Sequence, residues 1–131
     1  MKSKIPKLKG EADYDYKHDI LFFKTKDAEY ERSIEVDNIV FDIDSKGRIA
    51  GIQIFEASKF FNTDKLKLKD VPNWEFNSKV EQVEEQGKTI TRIEVRLIFM
   101  IRVRNQLIEK NPIIMQPITE RLPNSELACV A

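Results

Sequence analysis

The stretch R-S-I-E-V-D-N-I-V-F-D-I-D-S-K-G-R-I-A-G-I-Q-I-F-E-A-S, Arg32 to Ser58, alternates apolar and polar residues with a period of two. Successive side chains of a strand point to opposite faces, so Ile39, Phe41 and Ile43 share one face while Val40, Asp42 and Asp44 share the other. Ser45-Lys46-Gly47-Arg48 then reverses the chain, because Gly47 can adopt the positive φ that a short hairpin loop needs. On the return, Ile52 and Ile54 line one face. Gly51, interrupting a β-branched run, predicts a bulge or a close backbone contact.

Outward toward the N-terminus, Asp13 to Tyr16 and Ile20 to Phe23 are β-prone runs separated by Lys17-His18-Asp19. They read as a first hairpin, with Asp15 and Asp19 fixing the turn. Its second strand is apolar on both faces, as expected of a strand covered on both sides. Met1 to Ala12 lacks periodicity and reads as a frayed end, with order beginning at Asp13. Lys26 to Glu29 is the next connection, and Ile34 and Val36 open the central ribbon.

Outward toward the C-terminus, Ala57 to Leu68 reads as two short helical turns, one capped by Ser58 and one by Thr63 or Asp64. Pro72 stops them, Trp74-Glu75-Phe76 resumes alternation, and Glu85-Gln86-Gly87-Lys88 supplies a second glycine turn. Thr89 to Arg104 is the most regular stretch: Ile93, Val95, Leu97, Phe99, Ile101 and Val103 on one face, Arg92, Glu94, Arg96, Arg102 and Arg104 on the other. At about 3.3 Å per residue it would extend ~50 Å, so it must bend, bulge or project. Ile113 to Arg121 reads as a last strand confined to an edge by Pro117, and Leu122 to Ala131 as a loose tail with an accessible Cys129.

Tyr14-Asp15, Asp19-Ile20-Leu21-Phe22, Ser33, Val36, Asp44, Gly47, Gly51-Ile52, Ile54 and Ala57-Ser58 together resemble domain of unknown function family 2283, with Gln53 where that family carries glutamate. The resemblance covers about residues 13–61. It implies a small module of antiparallel strands closed by a short helix, and a role beside toxin-like partners as a proposed antitoxin. It carries no catalytic residues.

Lysine plus arginine and aspartate plus glutamate each number 22, so no long-range field draws the molecule to nucleic acid or an anionic membrane. One cysteine excludes an internal disulfide and a thiolate zinc site. With no signal peptide and no run near the ~20 apolar residues of a membrane span, the expectation is a cytoplasmic protein without membrane partners.

The candidate chemistry is sparse. Asp42-x-Asp44-x-Lys46-Gly47 has the opening pattern of a calcium loop, but Lys46 and Gln53 occupy ligand positions, and the hairpin reading prevails. Tyr14, Asp15, His18 and Asp19 form a candidate ligand or turn site, since imidazole titrates near neutrality and carboxylates can orient it. No second histidine, nucleophile elbow or phosphate-cradling glycine loop accompanies them, so neither a catalytic residue nor a cofactor is assigned. Arg92, Arg96, Arg102 and Arg104 form a candidate nucleic-acid face, weighed against a solvated outer face. Ile98 and Met100, apolar on that charged face, are the candidate interface of a homodimer. Trp74 and Phe76 read as core rather than as a base-stacking platform.

The expectation is a mainly β chain, with α+β as the alternative: a single domain over 1–131, comprising a module at 13–61 and a C-terminal hairpin or meander extension at 74–121. Its function is read as non-enzymatic protein interaction, with nucleic-acid binding and a small-molecule-binding or enzymatic site near the first hairpin as alternatives.

Overall fold

The computed structural model describes Ile5 and residues 7–131, and what the sequence suggests about residues 1–4 and Pro6 lies outside them. Ten strands and two short helices follow in order: β1 (Lys7–Asp15), β2 (Ile20–Thr25), β3 (Tyr30–Val36), β4 (Ile39–Asp44), β5 (Ile49–Phe55), α1 (Ala57–Phe60), α2 (Lys65–Lys69), β6 (Trp74–Glu85), β7 (Lys88–Val103), β8 (Gln106–Lys110), β9 (Ile113–Ile118) and β10 (Ser125–Val130). The mainly β class stands. The strands run β3-β4-β5-β2-β1-β10-β6-β7-β8, with β9 also on β7. All pairs are antiparallel except β1 with β10.

β1 belongs to both halves of this sheet. Lys7 to Lys9 pair with Ala128 to Val130, whereas Gly10 to Asp15 pair with β2. Gly10 sits at the change of partner, where a Cβ would lie 2.6 Å from Cys129 Sγ and 2.9 Å from Phe23 Cζ, so only glycine lets the strand pass. The halves are thereby turned face to face. The Phe23 ring stacks on Phe76 at 4.9 Å, and Ser78 Oγ donates to the Ile49 carbonyl at 2.6 Å. One core unites them, from Leu21, Phe41 and Ile52 to Phe76, Val95 and Leu97. Phe61, Trp74 and Phe99 close one end as an aromatic cluster, with Trp74 and Phe99 centroids 4.3 Å apart, which makes Trp74 and Phe76 core residues.

Both central glycines behave as their positions require. Gly47 has φ 79, and the β4–β5 register shifts between Asp42 and Ile43, opposite Gly51. A Cβ on Gly51 would stand 2.9 Å from the Phe23 carbonyl oxygen, so the strand interior there is a close backbone approach.

Three expectations are corrected. Lys7 to Ala12 is strand rather than a frayed end, because this aperiodic, lysine-rich segment finds backbone partners in β10 and β2. Leu122 to Ala131 is no loose tail: Ser125–Val130 is inserted between β1 and β6, and Cys129 is 1% exposed. Ser58 caps no helix, since Glu56 occupies the N-cap of α1 and the Ser58 hydroxyl is committed elsewhere.

The length of β7 is resolved on its own chain. β6 lines one edge from Lys88 to Phe99, while the other edge is shared by β9 along Thr91–Arg96 and β8 along Phe99–Val103. Arg104 and Asn105, with φ 50 and 66, make the two-residue reversal into β8. Pro117 sits on β9, which among the described residues is paired on one side only, where a missing N–H costs no ladder bond.

Candidate functional site

The residues suggested at the first hairpin separate into two groups. Asp19, at φ 57, ends the turn and aims its carboxylate at α1: it accepts from Tyr14 Oη at 2.5 Å, from the Ser58 backbone N–H at 3.0 Å and from Ser58 Oγ at 2.6 Å. Its own carbonyl accepts from the Ala57 N–H at 2.9 Å. Burial pushes the Asp19 carboxyl up, but the bonds from Ser58 and Tyr14 outweigh it and hold the group below the usual range. Burial first, and then the bond to Asp19, push the Tyr14 phenol far above its ordinary value. Asp15 and His18 form a separate pair. Asp15 accepts from the His18 backbone N–H at 3.1 Å and meets His18 Nδ1 at 2.8 Å, on an exposed turn, and the first of these bonds lowers the Asp15 carboxyl.

Chemically, Tyr14, Asp19 and Ser58 form a latch between hairpin and helix. A carboxylate with depressed basicity that already accepts three bonds is a poor proton acceptor. Each residue was legible in the sequence but the connection was not, because Asp19 and Ser58 are 39 positions apart.

The acidic residues of the central hairpin are likewise occupied. Asp42, buried, accepts from Ser33 Oγ at 2.7 Å and from Gln53 Nε2 at 3.3 Å. Asp44, 2% exposed, accepts from the backbone N–H groups of Lys46 and Arg48 and from Arg48 Nε at 2.8 Å. These bonds shape the turn at Gly47. Among the described residues no three His, Cys, Asp or Glu side chains gather as a metal-binding group.

The outer face of β7 carries the remaining candidates. Arg92 lies opposite Glu81 and is 3.6 Å from it and 3.7 Å from Glu85. Arg96 lies opposite Asn77, and Glu94 opposite Lys79 separates Arg96 from Arg92. Arg102 and Arg104 sit on the β7–β8 hairpin, Arg104 in its turn. Three of the four arginines thus lie on β7, with Glu94 between Arg92 and Arg96, while Arg104, expected on the same strand face, lies in the turn that follows.

On that same face the register aligns Ile113 with Arg96 and Met115 with Glu94. Ile98 and Met100 lie farther along β7, both half-buried, and Ile113 and Met115 are 46% and 55% exposed. The apolar patch expected at Ile98 and Met100 is therefore extended by two β9 residues. Their alternation with buried Ile114 was legible, but their position depends on β9 pairing with β7.

Among the described residues, no helix is long and apolar enough to cross a membrane. Over residues 12–58, from just before Tyr14 to Ser58, the chain matches the model of a family described as "Protein of unknown function (DUF2283)". "Uncharacterized protein MJ0789" of Methanocaldococcus jannaschii is 31% identical over 104 residues, which cover 79% of this chain and 84% of that protein. A protein of Methanosarcina mazei described as "Putative hypoxanthine phosphoribosyltransferase" is 32% identical over 98 residues, covering 75% of this chain and 73% of its own. No solved structure matches. The matched segment begins and ends on the Tyr14–Asp19–Ser58 latch and encloses the Asp42 and Asp44 bonds, and the chain belongs to the DUF2283 family of proteins of unknown function.

Proposed function

We propose that this chain is a non-enzymatic protein-interaction module that self-associates through the outer face of β7 and β9. The supporting observation is the run of Ile98, Met100, Ile113 and Met115 on that face, two of them about half exposed. Exposed apolar side chains that adjoin on one sheet face lower their free energy by being covered, and a two-fold pairing of identical faces covers both at once. The family resemblance supports a toxin-like protein as the alternative occupant of the same face.

Light scattering on a sizing column tests the reading. The expected result is a dimer mass at micromolar concentration, reduced to a monomer by Ile98→Glu with Met115→Glu while the melting temperature holds. A monomer mass across that range would overturn self-association.

The description of the Methanosarcina mazei relative supplies a second reading, phosphoribosyl transfer to hypoxanthine. Weighing against it, the four glycines lie inside strands (Gly10, Gly51) or in hairpin turns (Gly47, Gly87), not at a strand-to-helix loop that would cradle phosphate. Turnover of hypoxanthine with a phosphoribosyl donor by the purified chain would establish this second reading in place of ours.

A further inference from the structure

The face on which self-association is proposed continues beyond β7 and β9. Side by side, β1, β10, β6, β7 and β9 set their outward residues in rows across the strands. One row reads Lys7, Ala128, Asn77, Arg96, Ile113, and the next Glu126, Lys79, Glu94, Met115. Flanking them are the row of Lys9, Val130, Glu75 and Ile98 and that of Glu81, Arg92 and Pro117. Cations and carboxylates are mixed through these rows, so the face offers no single-sign field to a charged partner. Within the chain, Glu81 lies 3.6 Å from both Lys79 and Arg92, and Arg92 lies 3.7 Å from Glu85.

The same face carries both a projection and a recess. Ile113 and Met115 project from β9, about half exposed. Toward β10 a hollow of about 290 Å³ opens, lined among others by Ile5, Asn77, Lys79, Glu126 and Ala128. Ile5 is itself 43% exposed. A closed two-fold interface needs a surface complementary to itself, with projection and recess on opposite sides of the axis. The line between β6 and β7 divides them in this way, since β9 is the second strand to one side of it and β10 the second to the other.

We infer that a second copy packs face to face about a two-fold axis lying along the line between β6 and β7, so that its β9 seats on β10 of the first. The inference rests on the self-association reading and specifies which residues meet. Such an axis exchanges β6 with β7 and sets every row opposite itself, in the aligned packing of stacked sheets. Met115 of the second copy then stands over Glu126 beside Ile5, and Ile113 over Ala128, which places both at the hollow. The charges match as well: Lys79 faces Glu94 of the second copy and Glu81 faces its Arg92, each pair occurring twice by symmetry. Ile98 comes over Glu75, next to Val130. An axis across the strands, between the rows of Asn77 and Lys79, would instead set Glu75 against Glu81, like charge on like, and hollow against hollow.

Charge exchange between chains tests the register. Lys79→Glu and Glu94→Lys, made in separate chains, each oppose like charges across the axis. Mixing the two chains restores opposite charges there, while the cross-strand pair within each chain stays like-charged. Light scattering on a sizing column should give each variant alone a dissociation constant at least tenfold above wild type, and the equimolar mixture a heterodimer within about threefold of it. Ile113→Cys with Ala128→Cys gives a readout independent of charge. Within one chain these positions are three strand lanes apart, ~14 Å, too far for a disulfide, whereas across the axis they meet. Mild oxidation of the double variant should yield a reducible covalent dimer. Neither single variant should do so, since Cys129 is 1% exposed. A monomeric wild type would overturn this inference together with self-association. A dimeric wild type whose mixture is not restored, or whose double variant fails to cross-link, would overturn this inference alone.

Discussion

Replacing Asp19 isolates the latch that ties the first hairpin to α1. Its carboxylate accepts three bonds, at 2.5, 2.6 and 3.0 Å, from two residues. Hydrogen bonds to a charged acceptor contribute about 1.5–3 kcal/mol each when buried and are not additive within one network. Asp19 is half-buried, so water replaces part of what is lost. We therefore expect Asp19→Ala to cost about 2–3 kcal/mol, plus ~1 kcal/mol for placing alanine at φ 57. Asp19→Asn keeps an acceptor and tolerates that φ, so it should cost about half as much. For a chain of 131 residues, 1 kcal/mol shifts the melting temperature by ~4 °C. Thermal melts at neutral pH should thus drop by ~14 °C for alanine and ~7 °C for asparagine.

The pH dependence follows from the depressed Asp19 carboxyl, which is ionised more readily folded than unfolded. Its contribution is therefore fully present above the unfolded value of ~3.9 and is lost as pH falls through the lower folded value. The gap between wild type and Asp19→Asn should hold from pH 8 to 5 and close below pH ~4. The Tyr14 phenol is raised, so its share is fully present below its unfolded value near 10 and is lost as pH rises from there through the raised folded value. A gap that is flat from pH 3 to 8, or an alanine variant within ~1 °C of wild type, would refute the latch.

Two further outcomes are expected. Gly51→Ala should lower stability by about 1–3 kcal/mol in denaturant melts, because the new methyl meets the Phe23 carbonyl oxygen at 2.9 Å and the Asp42 carboxylate at 3.2 Å, and the first cannot move without disturbing the ladder nor the second without disturbing its bonds from Ser33 and Gln53. Cys129 should react with a thiol reagent at least a hundredfold more slowly in the native chain than in denaturant, since burial both hides the thiol and raises its pKa; labelling at the unfolded rate would show that β10 detaches.

The sequence by itself determined what depends on near neighbours. Alternation over Arg32 to Ser58 defined β3 to β5, glycine placed two turns, and the two helical segments broke where Asn62 to Asp64 interrupts them, since each of these rests on residues within a few positions of one another. The resemblance carried by Tyr14, Asp19, Ser33, Asp44, Gly47, Gly51 and Ser58 was visible as a pattern. Tertiary structure supplied its reason: Asp19 with Ser58, Ser33 with Asp42, and Gly51 against the Phe23 carbonyl. The two chain ends were misread for the same cause. Lys7 to Ala12 and Ser125 to Val130 have weak periodicity of their own, and their order comes from each other and from β2 and β6, partners as much as about 120 positions away in sequence. The arginines of β7 were read as one face, yet their spread and their glutamate partners are set by the register with β6. Local sequence fixes which residues a strand presents to each side; only long-range pairing, whose closure entropy is offset by the whole core together, decides which strand lies beside it and which edge is left open.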